Sequence, residues 1–291
     1  MTRYAKDAHG EAVAAAREPG GRAPAALLIW RIIPPGMYAG RARMVVERSL
    51  LVNRRMWLGV LTGFFEPLFF LFAVGVGFGR LVGDVIGPDG APMSYVAFVA
   101  PALLAASAMN GAVYDATFNI FFKFHYAKVY DGLLATPLGP MDVAIGEITW
   151  ALLRGAVYAG GFVVVMLGFG LITSPWAVLI LPAALLVAFA FAAVGMACTT
   201  YMRSWQDFDL VNLALIPMFL FSTTFYPLSV YPPALRVVVE FLPLYHAIEL
   251  MRGLTAGVVG VSMLGHVAYF LVMAVVGGVF AARRLGTLLL R

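Results

Sequence analysis

The sequence predicts an all-α integral membrane protein with six transmembrane helices, and three observations predict it. Of the 291 residues, 62% are apolar and only 12% are charged, with a mean hydropathy of +0.89, whereas soluble domains carry about 25% charged residues. Six mostly apolar stretches follow one another along the chain, each long enough at about 1.5 Å per residue to cross a hydrocarbon core about 30 Å thick. None alternates polar and apolar residues as barrel strands do, and an open sheet would strand unpaired backbone groups in lipid.

The expected spans are Trp57–Gly79, Tyr95–Phe118, Ile148–Ile172, Trp176–Tyr201, Leu210–Tyr226 and Val261–Ala282. Lys and Arg near span ends set their orientation. With the N-terminus inside, the inner segments hold ten Lys/Arg before Trp57, then Lys123, Lys128, Arg203, Arg283, Arg284 and Arg291. Only Arg80, Arg236 and Arg252 fall outside, and Arg154 lies just within the third span. Both termini are therefore expected in the cytoplasm, with the chain in the plasma membrane. The net charge of +5 is this topological signal; no aromatic-interleaved soluble domain accompanies it, so no nucleic-acid partner is expected. The single cysteine, Cys198, excludes an intramolecular disulfide and reads as a buried small residue.

Three parts follow along the chain. Residues 1–35 read as a cytoplasmic tail without the apolar run of a signal peptide. Residues 36–56 read as an amphipathic helix: Tyr38, Ala42, Val45, Val46, Leu50 and Met56 share one arc, and Arg41, Arg43, Glu47, Arg48, Arg54 and Arg55 occupy the rest. Such a basic helix belongs in the membrane interface, its Arg residues near anionic headgroups. Residues 57–291 form the six-span domain. Between its last two spans, Pro227, Pro232, Pro233 and Pro243 interrupt an apolar stretch that also carries Arg236, Glu240, His246, Glu249 and Arg252. A further span there would place Arg283, Arg284 and Arg291 outside, so the segment reads as two short outer helices that dip toward the membrane without crossing.

Several chemistries are excluded by what the sequence lacks. A Walker loop needs Gly-Lys-Ser/Thr, and none of Lys6, Lys123 and Lys128 follows a glycine. There is no His-Glu-x-x-His, Gly-x-Ser-x-Gly or cysteine pair, and His9, His125, His246 and His266 are scattered. No catalytic, metal or cofactor site is expected in this chain.

Charges inside spans remain. Glu66 lies about 13 Å below the cytoplasmic boundary, where an ionised carboxylate costs about 2.5–3.5 kcal/mol, and Pro67 beside it frees a carbonyl. Glu66 is either a lining or gating residue or a partner in an inter-helix hydrogen bond. Asp115, nearer the inner boundary, reads as structural. Glu147, at the start of the third span, suits a helix N-terminus and could pair with the basic N-terminal helix. Gly75, Gly77 and Gly79, and Gly155, Gly160 and Gly161, read as helix-packing positions.

A family resemblance joins these pieces. Glu66-Pro67-Leu68-Phe69-Phe70-Leu71-Phe72 with Gly75, Gly77 and Gly79 resembles the opening span of type-2 ABC exporter permeases. The nodulation lipo-oligosaccharide and daunorubicin exporter subfamilies are the nearest in kind. The likeness continues through Phe98-Val99-Ala100-Pro101, Ser107-Ala108-Met109-Asn110, Leu134-Ala135-Thr136-Pro137-Leu138, Gly146-Glu147-Ile148, Trp150 and Arg154-Gly155. It ends with Pro217-Met218-Phe219-Leu220-Phe221-Ser222 and Leu242-Pro243-Leu244-Tyr245-His246. Asp115 departs from the glutamate expected in close relatives.

The resemblance implies a homodimer that docks two cytoplasmic ATPase subunits, which hold ATP and Mg. It also implies a coupling helix between spans two and three and outer re-entrant helices between spans five and six. Lys123, Phe124, His125, Lys128, Asp131, Leu133, Leu134 and Pro137, with Glu147, are then the expected coupling residues. Glu66, Pro67, Asp115, Pro217 and Phe221 are expected along the translocation path or gate, and Glu240, Pro243, His246, Glu249 and Arg252 in the outer re-entrant region. The expected cargo is amphipathic: a lipo-oligosaccharide, glycolipid or lipophilic drug taken from the cytoplasm or the membrane lipid. A membrane-embedded glycolipid transferase is the rival reading, resting on Asp84, Asp89, Glu240, His246 and Glu249. A channel would show a ring of charge or a filter loop, and the sequence shows neither.

Overall fold

Four described helices are long and apolar enough to cross a membrane: Tyr95–Lys123, Met141–Gly168, Pro175–Thr199 and Val261–Arg284. The computed structural model describes residues 40–53, 65, 68–126, 129–134 and 136–289. The tail 1–35, Glu66, Pro67 and Lys128 lie outside the described residues, and Phe124, His125, Asp131 and Leu134 are described by backbone alone.

Helix α1 is Ala42–Asn53. Its buried strip is centred on Val45 and Ser49, while Leu50, expected in the apolar arc, is exposed. The strip is set by α5, where Gly146 lets α1 approach so closely that a Cβ there would lie 2.5 Å from that of Val45. Helix α2 covers residues 68–82 and includes a π-helical turn at Val74–Phe78. Gly75 and Gly79 of α2 face Val96, but nothing lies near Gly77. A hairpin of Asp84–Ile86 and Pro92–Ser94, paired antiparallel with Val85 opposite Met93, leads into the second span.

Helix α3 begins as Tyr95–Tyr114, with the Ser94 hydroxyl accepting from the Ala97 N–H. It widens into a π-helical turn at Asp115–Asn119 and resumes as Ile120–His125. The expected end at Phe118 falls short because Ile120 and Phe121 are themselves buried and carry the helix onward. Helix α4 is Val129–Leu134.

Helix α5 is Pro140–Gly168, starting before the expected Ile148 because Pro140 stands in its first turn and Asp142 accepts the Gly139 N–H at 2.8 Å. A 3-10 turn, Pro175–Leu179, opens helix α6, Ile180–Thr199. Helix α7 is Asp207–Phe221, and two short helices follow, α8, Pro233–Phe241, and α9, Pro243–Ala256. Helix α10, Val261–Leu289, closes the chain.

α3 and α6 are central, and α5, α9 and α10 pack around them through Met109, Phe162, Val187, Ile248 and Phe270. Of the two short helices, α9 is the one that enters the bundle: Leu244, Ala247, Ile248 and Met251 are fully buried. Cys198, expected to be buried, is exposed; it lies on the outward face of α6, where an apolar thiol is compatible with lipid. Gly155 and Gly160 have no neighbour for a Cβ, so close packing resides elsewhere. One such place is Gly277 of α10, where a Cβ would lie 2.8 Å from the backbone nitrogen of Val194 in α6. The next residue, Gly278, has open space. Gly277→Ala is expected to lower thermal stability in detergent by about 1–3 kcal/mol of overpacking, whereas Gly278→Ala should leave the melting temperature unchanged; the pair of unfolding curves checks this.

Candidate translocation cavity and coupling face

Helices α3, α5 and α7, with Phe70 of α2 and the small residues Ala188 and Ala192 of α6, enclose a cavity of about 870 Å³. That is the size of a site for a substantial organic molecule. Most of its wall is apolar, from Leu103, Phe118, Phe208, Leu215 and Phe219. Its polar lining residues include Ser107, Asn110, Asp115, Thr117, Arg154, Tyr158 and Asn212. Arg154 forms an ion pair with Asp115, so the charges cancel within the wall. The Asn119 amide also donates to Asp115 at 2.6 Å. The ion pair meets the constraint that an intramembrane charge must be partnered, and Gly155 beside it takes up no side-chain space in the cavity.

Asp115 opens the π-helical turn of α3. The Thr199 hydroxyl of α6 lies 2.8 Å from the Ala116 carbonyl and 2.9 Å from that of Gly195, to which it donates in a shared hydrogen bond. This pins the wide turn against α6. Of the residues expected on the path, Asp115 therefore lines the cavity. Pro217 and Phe221 are exposed on α7, and their neighbours Ile216 and Leu220 contribute to the wall instead.

At the basic end of the bundle, Lys123 of α3 donates to Glu147 of α5 at 2.6 Å, with the Glu147 side chain only 5% exposed. Glu147 thus pairs with the end of α3 rather than with the N-terminal helix. Asp142 holds that helix, its carboxylate accepting the Arg41 N–H at 2.9 Å, while the Arg41 guanidinium donates to the Pro137 carbonyl at 3.3 Å. α4 sits between these two anchored points, with Leu133 half-buried against the core; its helix ends at Leu134, ahead of the turn at Thr136 and Pro137.

At the opposite end, Arg252 is 3% exposed. Its guanidinium lies 3.8 Å from the centre of the Phe98 ring, pairs with Glu249 at 2.8 Å and donates to the Thr223 carbonyl at 2.9 Å. Thr223 has φ of +61°, a strained conformation for a β-branched residue that surrounding contacts must enforce. Arg252 thereby ties α9 to α3 and to the end of α7. At the same end, the Nδ1 atoms of His246 and His266 lie 2.7 Å apart, and His246 packs on Tyr269 at 4.1 Å between ring centres. Pro243 opens α9, and Glu240 is exposed on α8.

An apolar helical bundle with a large inner cavity, a charge-neutral polar centre and an anchored basic end defines a membrane transport subunit. The ABC-2 type transporter family matches residues 41–255, and the chain belongs to that family. It is similar to Nodulation protein J of Rhizobium leguminosarum bv. trifolii, with 30% identity covering 80% of this chain and 87% of the relative. The like-named protein of Rhizobium leguminosarum bv. viciae shares 32% identity over 72% and 79% of the two chains. That of Rhizobium meliloti shares 29% over 73% and 80%. The chain is a membrane-spanning permease subunit of an ABC exporter.

Arg252→Ala would leave the Thr223 carbonyl without its donor and Glu249 without its cation, at about 1–3 kcal/mol per orphaned group. A large drop in melting temperature is expected, with only partial recovery in Arg252→Lys because the ammonium cannot reproduce the planar fork. His246 titrates below the ordinary imidazole range because burial, then the neighbouring His266, disfavours its charge. A base whose folded pKa lies below its unfolded value contributes stability above about pH 6.5, and that contribution is lost as pH falls. Melting temperatures taken from about pH 7 down to about pH 5 should fall in the parent protein and fall less steeply in His246→Gln.

Proposed function

We propose that two copies of this chain associate in the plasma membrane as a homodimer, each with six spans, both termini cytoplasmic and α8–α9 re-entrant from the outer face. Two separate ATPase subunits, holding ATP and Mg, dock on the cytoplasmic side against α1, α4 and the end of α3. The assembly moves an amphipathic substrate, a lipo-oligosaccharide, glycolipid or lipophilic drug, from the cytoplasm or inner leaflet outward.

The observation that carries this reading is the cavity. Its apolar wall suits an acyl or other lipophilic portion, and its Asp115–Arg154 centre with Asn110 and Asn212 offers both donors and acceptors to a polar portion. An amphipathic molecule satisfies both surfaces at once, whereas a small ion would leave most of the wall unused. Support for the docking face comes from the Lys123–Glu147 and Arg41–Asp142 anchors, which brace both sides of α4. A braced short helix moves its neighbours when pushed, as energy coupling to a partner requires. The orientation rests on the distribution of Lys and Arg.

Affinity purification from native membranes is expected to bring down an ATPase subunit. Leu133→Arg, at the half-buried contact of α4, should abolish ATP-driven transport while leaving membrane insertion intact. A chain that purifies alone with full glycolipid transferase activity would overturn the exporter reading.

A further inference from the structure

One cluster of aromatic side chains lies outside the residues so far given a role. Phe121 and Tyr126, at the basic end of α3, pack on Trp205 with ring centres 5.8 and 5.4 Å away. Trp205 sits in the link between α6 and α7, and it also packs on Phe118 at 5.1 Å and Phe208 at 5.6 Å. Phe118 in turn stacks on Tyr114 at 4.8 Å. Phe118, Trp205, Phe208 and Tyr114 line the cavity; Phe121 and Tyr126 do not. Trp205 therefore touches the cavity wall on one side and the approach to α4 on the other.

Two further features give this contact mechanical consequence. The link that carries Trp205 is rigid, because the Asp207 carboxylate accepts the N–H groups of Arg203 and Ser204 at 2.7 and 3.0 Å, fixing the indole relative to α7. The part of α3 between the ion pair and Phe121 is the π-helical turn Asp115–Asn119. Such turns hold one residue more than an α-turn and are places where helices bend or change register. A register change of one residue turns the following segment by about 100°. Movement of the α3 end beyond this hinge is thus passed to α7 through aromatic contact.

We infer that Trp205 is the positioning residue that converts displacement of the coupling end of α3 into a change of the cavity, with the π-helical turn at Asp115–Asn119 as its hinge. This rests on the reading that an ATPase docks at that end. Push on the segment containing Tyr126, and Trp205 carries α7, with Phe208, Asn212 and Leu215 of the cavity wall. Without the indole, the contacts of Phe118 and Phe121 with Phe208, at 5.6 and 5.2 Å, still join this part of α3 to α7, but less of the displacement reaches the cavity wall.

The test needs no knowledge of the cargo. In a Cys198→Ala background, Asn212→Cys reports access to the cavity by its rate of labelling with a membrane-impermeant maleimide, measured on the assembled complex with and without ATP and vanadate. Nucleotide trapped in the ATPase subunits is measured alongside. With Trp205 present, trapping is expected to change the labelling rate several-fold. In Trp205→Ala that change should shrink several-fold although nucleotide is still trapped, and Trp205→Phe should restore most of it. An undiminished change in Trp205→Ala overturns the inference while leaving the exporter reading in place. Absence of any ATPase from the parent complex overturns the exporter reading itself, and this inference with it. Should Trp205→Ala fail to assemble, Trp205 is read directly in a chain with Trp30, Trp57, Trp150 and Trp176 each replaced by Phe. Its emission is expected to shift on vanadate trapping, and an unshifted spectrum overturns the inference.

Discussion

A charge in hydrocarbon must find its partner inside the protein, and this constraint organises the molecule. An ionised side chain at the centre of a helix costs about 2.5–3.5 kcal/mol on insertion scales, and among the described residues the charges within the bundle are paired with other side chains or with carbonyls. Lys123–Glu147 fastens the ends of α3 and α5, Asp115–Arg154 fastens them again beside the cavity, and Arg252 gathers α9, α3 and the end of α7. Apolar contact alone cannot fix these relations, because lipid tails offer a helix face the same apolar surroundings as another helix does. The polar pins therefore decide which helix faces meet and where the cavity lies.

That division explains what the sequence discloses. The bundle of apolar helices and the two short helices before the last one follow from apolar run length and proline position, both local quantities. The partner of Asp115 is not local. Arg154 sits far along the chain and reads on its own as a residue just inside a span; only the antiparallel packing of α3 and α5 brings the two to one depth. The same holds for Glu147, whose partner is Lys123, and for Arg252, which looked like an outer-loop charge until α9 carried it into the bundle. Cys198 shows the converse limit. In lipid, outward and inward faces are equally apolar, so hydropathy cannot say which way a thiol on α6 points. Trp205 is hidden for a third reason, since an aromatic near a span end reads as an interfacial anchor.

The pins are not evenly distributed. α6 and α10 meet at Gly277 with almost no space between backbones, and α6 meets α3 at Gly195, where a Cβ would lie 3.1 Å from that of Ala116. These contacts, with the buried face of α9, form one closely packed body. α7 differs: none of its residues is buried, and Leu210, Leu213, Ile216 and Leu220 are exposed. Its polar ties lie at its two ends, at Asp207 on the basic side and at Thr223 under Arg252 on the other, while Val211, Leu215, Met218 and Phe219 between them are only partly buried against the core.

A helix held at both ends and loosely packed along its length is the cavity wall that can move at least cost. Rearranging α6 against α10 would separate backbones in close contact and lose packing that a dense interior does not recover by relaxing. Shifting α7 disturbs mostly side chains that are already exposed. The cavity is therefore expected to change shape by a motion of α7 and its exposed neighbour α2 against a body formed by α6, α9, α10 and the part of α3 that precedes its π-helical turn. The neutral Asp115–Arg154 pair joins the start of that turn to α5 and belongs to neither α7 nor α2. Its charges stay matched throughout the motion, so the polar centre can hold a polar group while the apolar wall around it changes shape.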